Sequence, residues 1–157
     1  MAYISGSGTR FAAPIAGLAA LLSLTGPASG QPSAQSGSID LAIEGARSQR
    51  GLIRICLSAN PRHFPDCSGD PAARTANIPA SATTARFDGL APGTYAVSLI
   101  HDENSNGRMD TMLMMPREGF GFSRNPRIGM GPPRFQSASF AVEAGAVQQT
   151  VRLRYML

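Results

Sequence analysis

Apolar and polar residues alternate from Ile39 onward in short blocks separated by glycine and proline, a period of two that marks half-buried strands. Ile39, Leu41 and Ile43 share one face against Asp40, Ala42 and Glu44. After the turn-like stretch Gly45–Gly51, Ile53, Ile55 and Leu57 alternate with Arg54, Cys56 and Ser58. Asn60–Pro71 is a loop by composition, carrying Pro61, Pro65, Gly69 and Pro71. Arg74–Ile78 reads as a weak edge strand stopped by Pro79, which has no N–H to give a ladder. Thr83, Ala85 and Phe87 form one face of a further strand, and Tyr95–His101 alternates cleanly again. Near the C-terminus Ala138, Phe140 and Val142 share a face, as do Val147, Val151, Leu153, Tyr155 and Leu157, with Gly145 as a hairpin turn between the two strands. Nothing in this part of the chain shows an apolar stripe of 3.6-residue period. About seven strands joined by Gly/Pro turns predict an all-β, antiparallel β-sandwich.

The first thirty residues break the pattern. Arg10 precedes an uncharged run, Phe11–Leu24, and Pro27-Ala28-Ser29-Gly30 then supplies small residues where a signal peptidase reads them. The run is shorter than the roughly 20 residues a membrane-spanning helix needs. Pro14, Gly17 and the Gly/Pro/Ser-rich exit weigh against a buried N-terminal helix. Residues 1–30 are therefore expected to be a secretory signal peptide cleaved before Gln31. Residues 31–37 form a flexible leader of polar and small residues, and residues 38–157 a single β-sandwich domain. No cysteine follows the cleavage position, so no lipid anchor is indicated there. The expected product is exported, periplasmic or extracellular, with no transmembrane segment in the mature chain.

Charge adds little. All 14 Lys+Arg residues are arginine, and the formal net charge is +4. The arginines are scattered and no helix gathers them on one face, so a nucleic-acid role has no support. Cysteine adds more. Cys56 and Cys67 are an even pair, which in an oxidising compartment favours a disulfide over free thiols. Cys56 lies on the polar side of its strand's alternation, a position that suits a tether to the loop Leu57–Asp66. A metal or redox pair is the alternative, but there is no CxxC spacing and only His63 is near.

Gly89-Leu90-Ala91-Pro92-Gly93-Thr94-Tyr95 feeds the strand that ends at His101. This Leu-x-Pro-Gly-x-Tyr arrangement resembles the corner entering a late strand of immunoglobulin-like and transthyretin-like sandwiches, where a tyrosine packs inward and its hydroxyl bonds back to the turn. The connection from Ile100 to Phe135 is long for a compact domain. Met112, Leu113, Met114, Met115, Phe120, Phe122, Ile128, Met130 and Phe135 give it too much apolar surface to remain solvated. It is expected to be one long ordered loop packed over an end of the sandwich.

The start of that loop carries candidate chemistry. With Asp102 as position 1, side-chain oxygens fall at positions 1, 3, 5 and 9 (Asp102, Asn104, Asn106, Asp110). Gly107 stands at position 6, and Arg108 offers its carbonyl at position 7. That is the layout of a loop that wraps Ca²⁺. Position 12 is Leu113, where an EF-hand carries glutamate, and no helix signal flanks the loop. The better comparison is with Asp-x-Asn-x-Asn-Gly-x-x-Asp loops on secreted sandwich modules. Glu118, or Glu103, is a candidate third carboxylate, and the expected affinity is micromolar to millimolar. The alternative is a metal-free succession of Asx-turns.

Two further readings concern the rest of the loop. Arg117, Arg124, Arg127 and Arg134, with Phe120 and Phe122, could form a surface for an anion or small ligand within residues 117–135. Alternatively these arginines pair with Glu118 and Asp110 and hold the loop together, which is the preferred expectation. His101 beside Asp102, with His63 elsewhere, is the only general-base material. Ser123 sits in Phe-Ser-Arg, not in a Gly-x-Ser-x-Gly elbow. A hydrolase therefore ranks last, and His101 is expected to be a structural hydrogen-bonder.

Three segments carry a family resemblance: His101-Asp-Glu-Asn-Ser-Asn-Gly-Arg-Met-Asp110, Pro116-Arg-Glu-Gly-Phe-Gly-Phe-Ser-Arg-Asn125 and Gly131-Pro-Pro-Arg-Phe135. Together with the Gly-Leu-x-Pro-Gly-x-Tyr corner they are similar to DUF2141, a family of secreted bacterial proteins, over about Ser38–Leu153. The resemblance implies an exported β-rich domain and brings no activity, substrate or catalytic residue. The expectation is a non-catalytic binding or structural module with a Ca²⁺-stabilised loop, whose partner, an envelope protein or a small ligand, the sequence does not identify.

Overall fold

The computed structural model describes residues 36–157; the expected signal peptide and nearly all of the leader lie outside the described residues. The chain runs β1 (Gly37–Glu44), β2 (Leu52–Ser58), β3 (Arg74–Pro79), β4 (Thr84–Leu90), β5 (Gly93–Asp102), β6 (Thr111–Met112), β7 (Met115–Pro116), β8 (Gly119–Phe122), α1 (Phe135–Ala138), β9 (Phe140–Val142) and β10 (Gly145–Arg152). One sheet has the order β10-β1-β4, and the other has β3-β2-β5-β8 with β9 also on β5. β6 and β7 form a separate small hairpin. Among the described residues no helix is long and apolar enough to cross a membrane.

The alternation predicts the core correctly because each strand turns one face inward. Ile39, Leu41, Ile43, Phe87, Leu90 and Val151 from the first sheet meet Ile53, Ile55, Leu57, Val97, Leu99 and Val142 from the second. β3 is an exposed edge strand and ends at Pro79, as its composition requires. The Tyr95 hydroxyl donates to the Ala91 carbonyl at 2.9 Å, closing the expected tyrosine corner.

Four local expectations need correction. β1 starts at Gly37, inside the expected leader, where a Cβ would lie 2.3 Å from the Glu143 carbonyl oxygen. Gly145 is not a hairpin turn: β9 pairs antiparallel with β5, whereas β10 crosses to the other sheet and pairs in parallel with β1. Alternation states which side chains face inward, not which sheet receives them. Ala138 ends a single helical turn instead of starting a strand, and four residues are too few to show a helical period. Leu157 is exposed, since β10 stops at Arg152.

The long connection contains a strand that composition concealed. β8 joins the second sheet antiparallel to β5, with Leu99 opposite Gly121 and His101 opposite Gly119. Its sequence, Gly-Phe-Gly-Phe, alternates by side-chain size. The glycine face lies so close to the C-terminal segment that a Cβ at Gly121 would meet the Arg152 carbonyl oxygen and the Val151 Cγ1 at 2.9 Å. The other face puts Phe120 and Phe122 into a second core with Ala96, Phe135 and Ala138.

Phe64, from the loop after β2, packs edge-on against Phe122 and Phe135, with ring centroids 5.9 and 5.8 Å away. The Cys56–Cys67 disulfide, with Cα atoms 5.7 Å apart, holds that loop in place.

Two stability tests follow. Gly121→Ala should cost about 1–3 kcal/mol by overpacking against a backbone carbonyl that cannot rotate away. The double variant Cys56→Ala/Cys67→Ala should cost about 3 kcal/mol in the chain-entropy account of a loop this size. Urea unfolding monitored by circular dichroism checks both.

Candidate functional site

β5 ends at Asp102, whose side chain is fully buried. A buried carboxylate needs hydrogen bonds to both oxygens, and the chain supplies them by folding back. Asn106 N–H donates to Oδ1 at 3.0 Å and Gly107 N–H to Oδ2 at 2.8 Å. The reversal places Ser105 and Gly107 at φ 58 and 85, the second at a residue suited to it. Asn104 Oδ1 then accepts Asn106 N–H, and Asn106 Oδ1 accepts Arg108 N–H, both at 3.0 Å. These are consecutive Asx-turns.

Both asparagine amides turn their NH₂ groups on Asp110. Asn104 Nδ2 donates to Oδ2 at 2.7 Å and Asn106 Nδ2 to Oδ1 at 2.9 Å. These bonds hold the Asp110 carboxyl below the usual carboxylate range. Glu118, buried at the far end of the loop, accepts Glu103 N–H on Oε1 and Asp110 N–H on Oε2, each at 3.1 Å. It therefore clips the two ends of the root together. Arg117 N–H donates to the Asp110 carbonyl at 2.9 Å and closes the base of the β6–β7 hairpin.

The donor set is one a hard cation accepts: carboxylates at Asp102 and Asp110, amide oxygens at Asn104 and Asn106, and the Arg108 carbonyl. The asparagine oxygens each serve a backbone amide, and their NH₂ groups meet Asp110 where a cation would otherwise neutralise it. Both Glu118 oxygens are engaged on amides. Among the described residues no three His, Cys, Asp or Glu side chains converge.

Beside the root lies a cluster that spacing in the sequence did not reveal. His101 is fully buried, with Nε2 2.9 Å from the Arg50 carbonyl and Nδ1 2.6 Å from the Tyr155 hydroxyl. A carbonyl can only accept, so Nε2 carries a proton, and in the neutral ring Nδ1 accepts from Tyr155. The Tyr155 oxygen in turn accepts Arg47 N–H at 3.1 Å, and its burial pushes the phenol pKa up. The Arg47 guanidinium sits 4.4 Å from the Tyr155 ring centroid. From there it donates to Glu103 Oε2 at 3.1 and 2.6 Å, to the Arg117 carbonyl at 2.9 Å and to the Leu157 carbonyl at 2.6 Å. That guanidinium, followed by the Ser48 hydroxyl, lowers the Glu103 carboxyl to about 2. One side chain thus joins the β1–β2 turn, the loop root and the C-terminal segment.

The remaining sites predicted from sequence separate. Arg117, Arg124 and Arg134 are exposed and form no ion pair among the described residues. They do not pair with Glu118, which is buried on two backbone amides, or with Asp110, whose carboxylate lies on two asparagine amides with Arg108 Nε 4.0 Å away. Arg124 donates to the Ser139 carbonyl at 3.0 Å. Phe120 and Phe122 are core side chains, and the crevice beside them and Ile128 has about 10 Å³, room for a single water. Ser123 is buried, donating to the Ala138 carbonyl at 2.6 Å and accepting Val97 N–H at 2.9 Å.

Since Glu103 titrates lower in the folded chain than its ordinary 4.5, its contribution to stability is present above about pH 4.5 and is lost as the pH falls toward 2. Arg47→Ala should cost about 2 kcal/mol at pH 7, the scale of a charged hydrogen bond. That penalty should shrink through the same acid window. Urea unfolding from pH 7 to pH 2.5 measures both, and Glu103→Gln should flatten the wild-type acid limb.

The family model described as "Uncharacterized protein conserved in bacteria (DUF2141)" matches residues 41–150, which contain the loop root, Glu118 and β8. No curated protein and no solved structure matches the chain. With most of its length under that one family model, the chain belongs to the DUF2141 family.

Proposed function

We propose that the protein is an exported, non-catalytic binding or structural module, in which the 102–118 root is a rigid base for the loop it carries. The observation behind this reading is how the polar side chains at the end of β5 are used. Asp102, Asn104, Asn106 and Glu118 each bond the loop's own backbone. Both nitrogens of His101 are occupied, and Ser123 is sealed against Ala138. These groups position the chain instead of facing a substrate. The Cys56–Cys67 disulfide supports export, since such bonds persist in oxidising compartments.

Ca²⁺ of modest affinity belongs to this reading. Asp102, Asn104, Asn106, the Arg108 carbonyl and Asp110 would hold it, and the two asparagine NH₂ contacts with Asp110 would give way to metal–oxygen contacts. Glu118 would stay on its two amides. A second reading, an anion-binding surface at Arg117, Arg124 and Arg134, is favoured by the absence of ion pairs at these guanidiniums among the described residues.

Thermal melting in Ca²⁺ against EGTA tests the metal. Ligand at 100 times its Kd stabilises by about 2.7 kcal/mol, so at a site of about 10 μM affinity millimolar Ca²⁺ should raise the Tm by several degrees. Asp110→Asn should abolish the rise while keeping the fold. An unchanged wild-type Tm removes calcium and leaves a root held by hydrogen bonds alone.

A further inference from the structure

We propose that the β6–β7 hairpin is a lipid-contacting tip whose ligand is an anionic membrane surface. The proposal goes beyond the reading above and stands whether or not the root takes Ca²⁺. The two residues of the turn, Leu113 and Met114, have φ 49 and 65. Two consecutive left-handed residues make the tight hairpin turn that favours Asn-Gly, and bulky side chains are strained there. Packing does not compensate: Leu113 is 85% exposed and Met114 96%. Met112 and Met115, directly opposite each other on the hairpin, are also exposed. Four consecutive apolar side chains thus stand clear of the protein on a backbone that local preference would give to small polar residues.

Charge identifies the occupant. The acidic side chains at the hairpin base are already engaged, Asp110 by the Asn104 and Asn106 amides and Glu118 by two backbone amides, and from Thr111 to Val142 no other acidic residue occurs. The same span holds Arg117, Arg124, Arg127 and Arg134, all exposed and without ion pairs among the described residues. Arg117 lies at the base of the hairpin, three residues behind Met114. At about 3.3 Å per residue its guanidinium starts about 10 Å behind the tip. Interfacial segments bury their apolar face about 5–10 Å into the boundary between headgroups and acyl chains. The four apolar side chains would therefore enter that boundary, leaving Arg117 among lipid phosphates. A second turn of like make-up, Gly129-Met130-Gly131, displays a fully exposed Met130 between Arg127 and Arg134.

The test is co-sedimentation of the exported protein with vesicles of phosphatidylglycerol and phosphatidylcholine in equal parts, against phosphatidylcholine alone. Binding to the anionic vesicles should be about tenfold stronger or more, and should fall with added salt. Leu113→Asn/Met114→Gly should lose about tenfold in binding, with a Tm equal to or above the wild type because Asn-Gly suits the turn. Arg117→Gln should weaken binding to anionic vesicles only. Equal binding by wild type and the Asn-Gly variant overturns the proposal, as does binding that ignores phosphatidylglycerol. A wild-type dimer in sedimentation equilibrium that the Asn-Gly variant abolishes also overturns it, by assigning the tip to a second copy of the chain.

Discussion

The buried carboxylate of Asp102 sets the terms for one end of this molecule. A carboxyl group at zero exposure needs partners for both oxygens, and here both are hydrogen-bonded, with Arg54 Nη1 3.9 Å from Oδ2 as well. The amides of Asn106 and Gly107 supply those bonds, and to do so the chain reverses within five residues. The reversal brings Asn104 and Asn106 to Asp110, and Asp110 to Glu118. Glu118 immediately precedes β8, so the same clip delivers that strand to the edge of β5. A demand for solvation at one strand end thereby fixes the path of the next twenty residues or so.

The glycines of β8 answer a complementary demand. A strand laid between β5 and the C-terminal segment must come close to Tyr155 and Val151, and only a face without side chains fits. That closeness keeps Tyr155 within reach of His101, and it gathers Arg47 above the ring. The Phe face, turned the other way, requires the cover that Phe64 and the disulfide-held loop provide. The second core is thus a consequence of one alternating four-residue strand, whose bare face lies against the C-terminal segment.

The sandwich was legible where a regular signal and a local cause coincided. β1, β2 and β5 combine branched apolar residues with strict alternation, and Tyr95 reaches Ala91 across four residues, so these followed from the sequence directly. The Cys56–Cys67 pair was equally readable, from an even count and a position on the polar side of a strand. β8 was hidden because glycine is a poor strand former and its phenylalanines read as loop residues. The Arg47 cluster was hidden for another reason. Its partners Glu103 and Leu157 lie 56 and 110 positions away, and no spacing rule spans such distances. At the loop root the ligand-like spacing was plain, but the same oxygens satisfy both a cation and an Asx-turn. The arginines illustrate the converse: their scatter was visible, while the prior engagement of Glu118 and Asp110 by amides was not.

The parallel pairing of β1 with β10 has a bearing on how the domain is made. The first strand of the domain waits for the last, with Gly37 opposite Gly145 and Glu44 opposite Arg152. Until then β1 has β4 on one side only, and its other edge is a row of unpaired amides and carbonyls. A chain made from its N-terminus therefore carries an open, sticky sheet edge through the making of β2 to β9, until β10 follows and closes it. Contacts of such long sequence separation fold slowly, and open edges invite misassociation. Until β10 pairs with it, the outer edge of β1 is the part of the domain most open to misassociation.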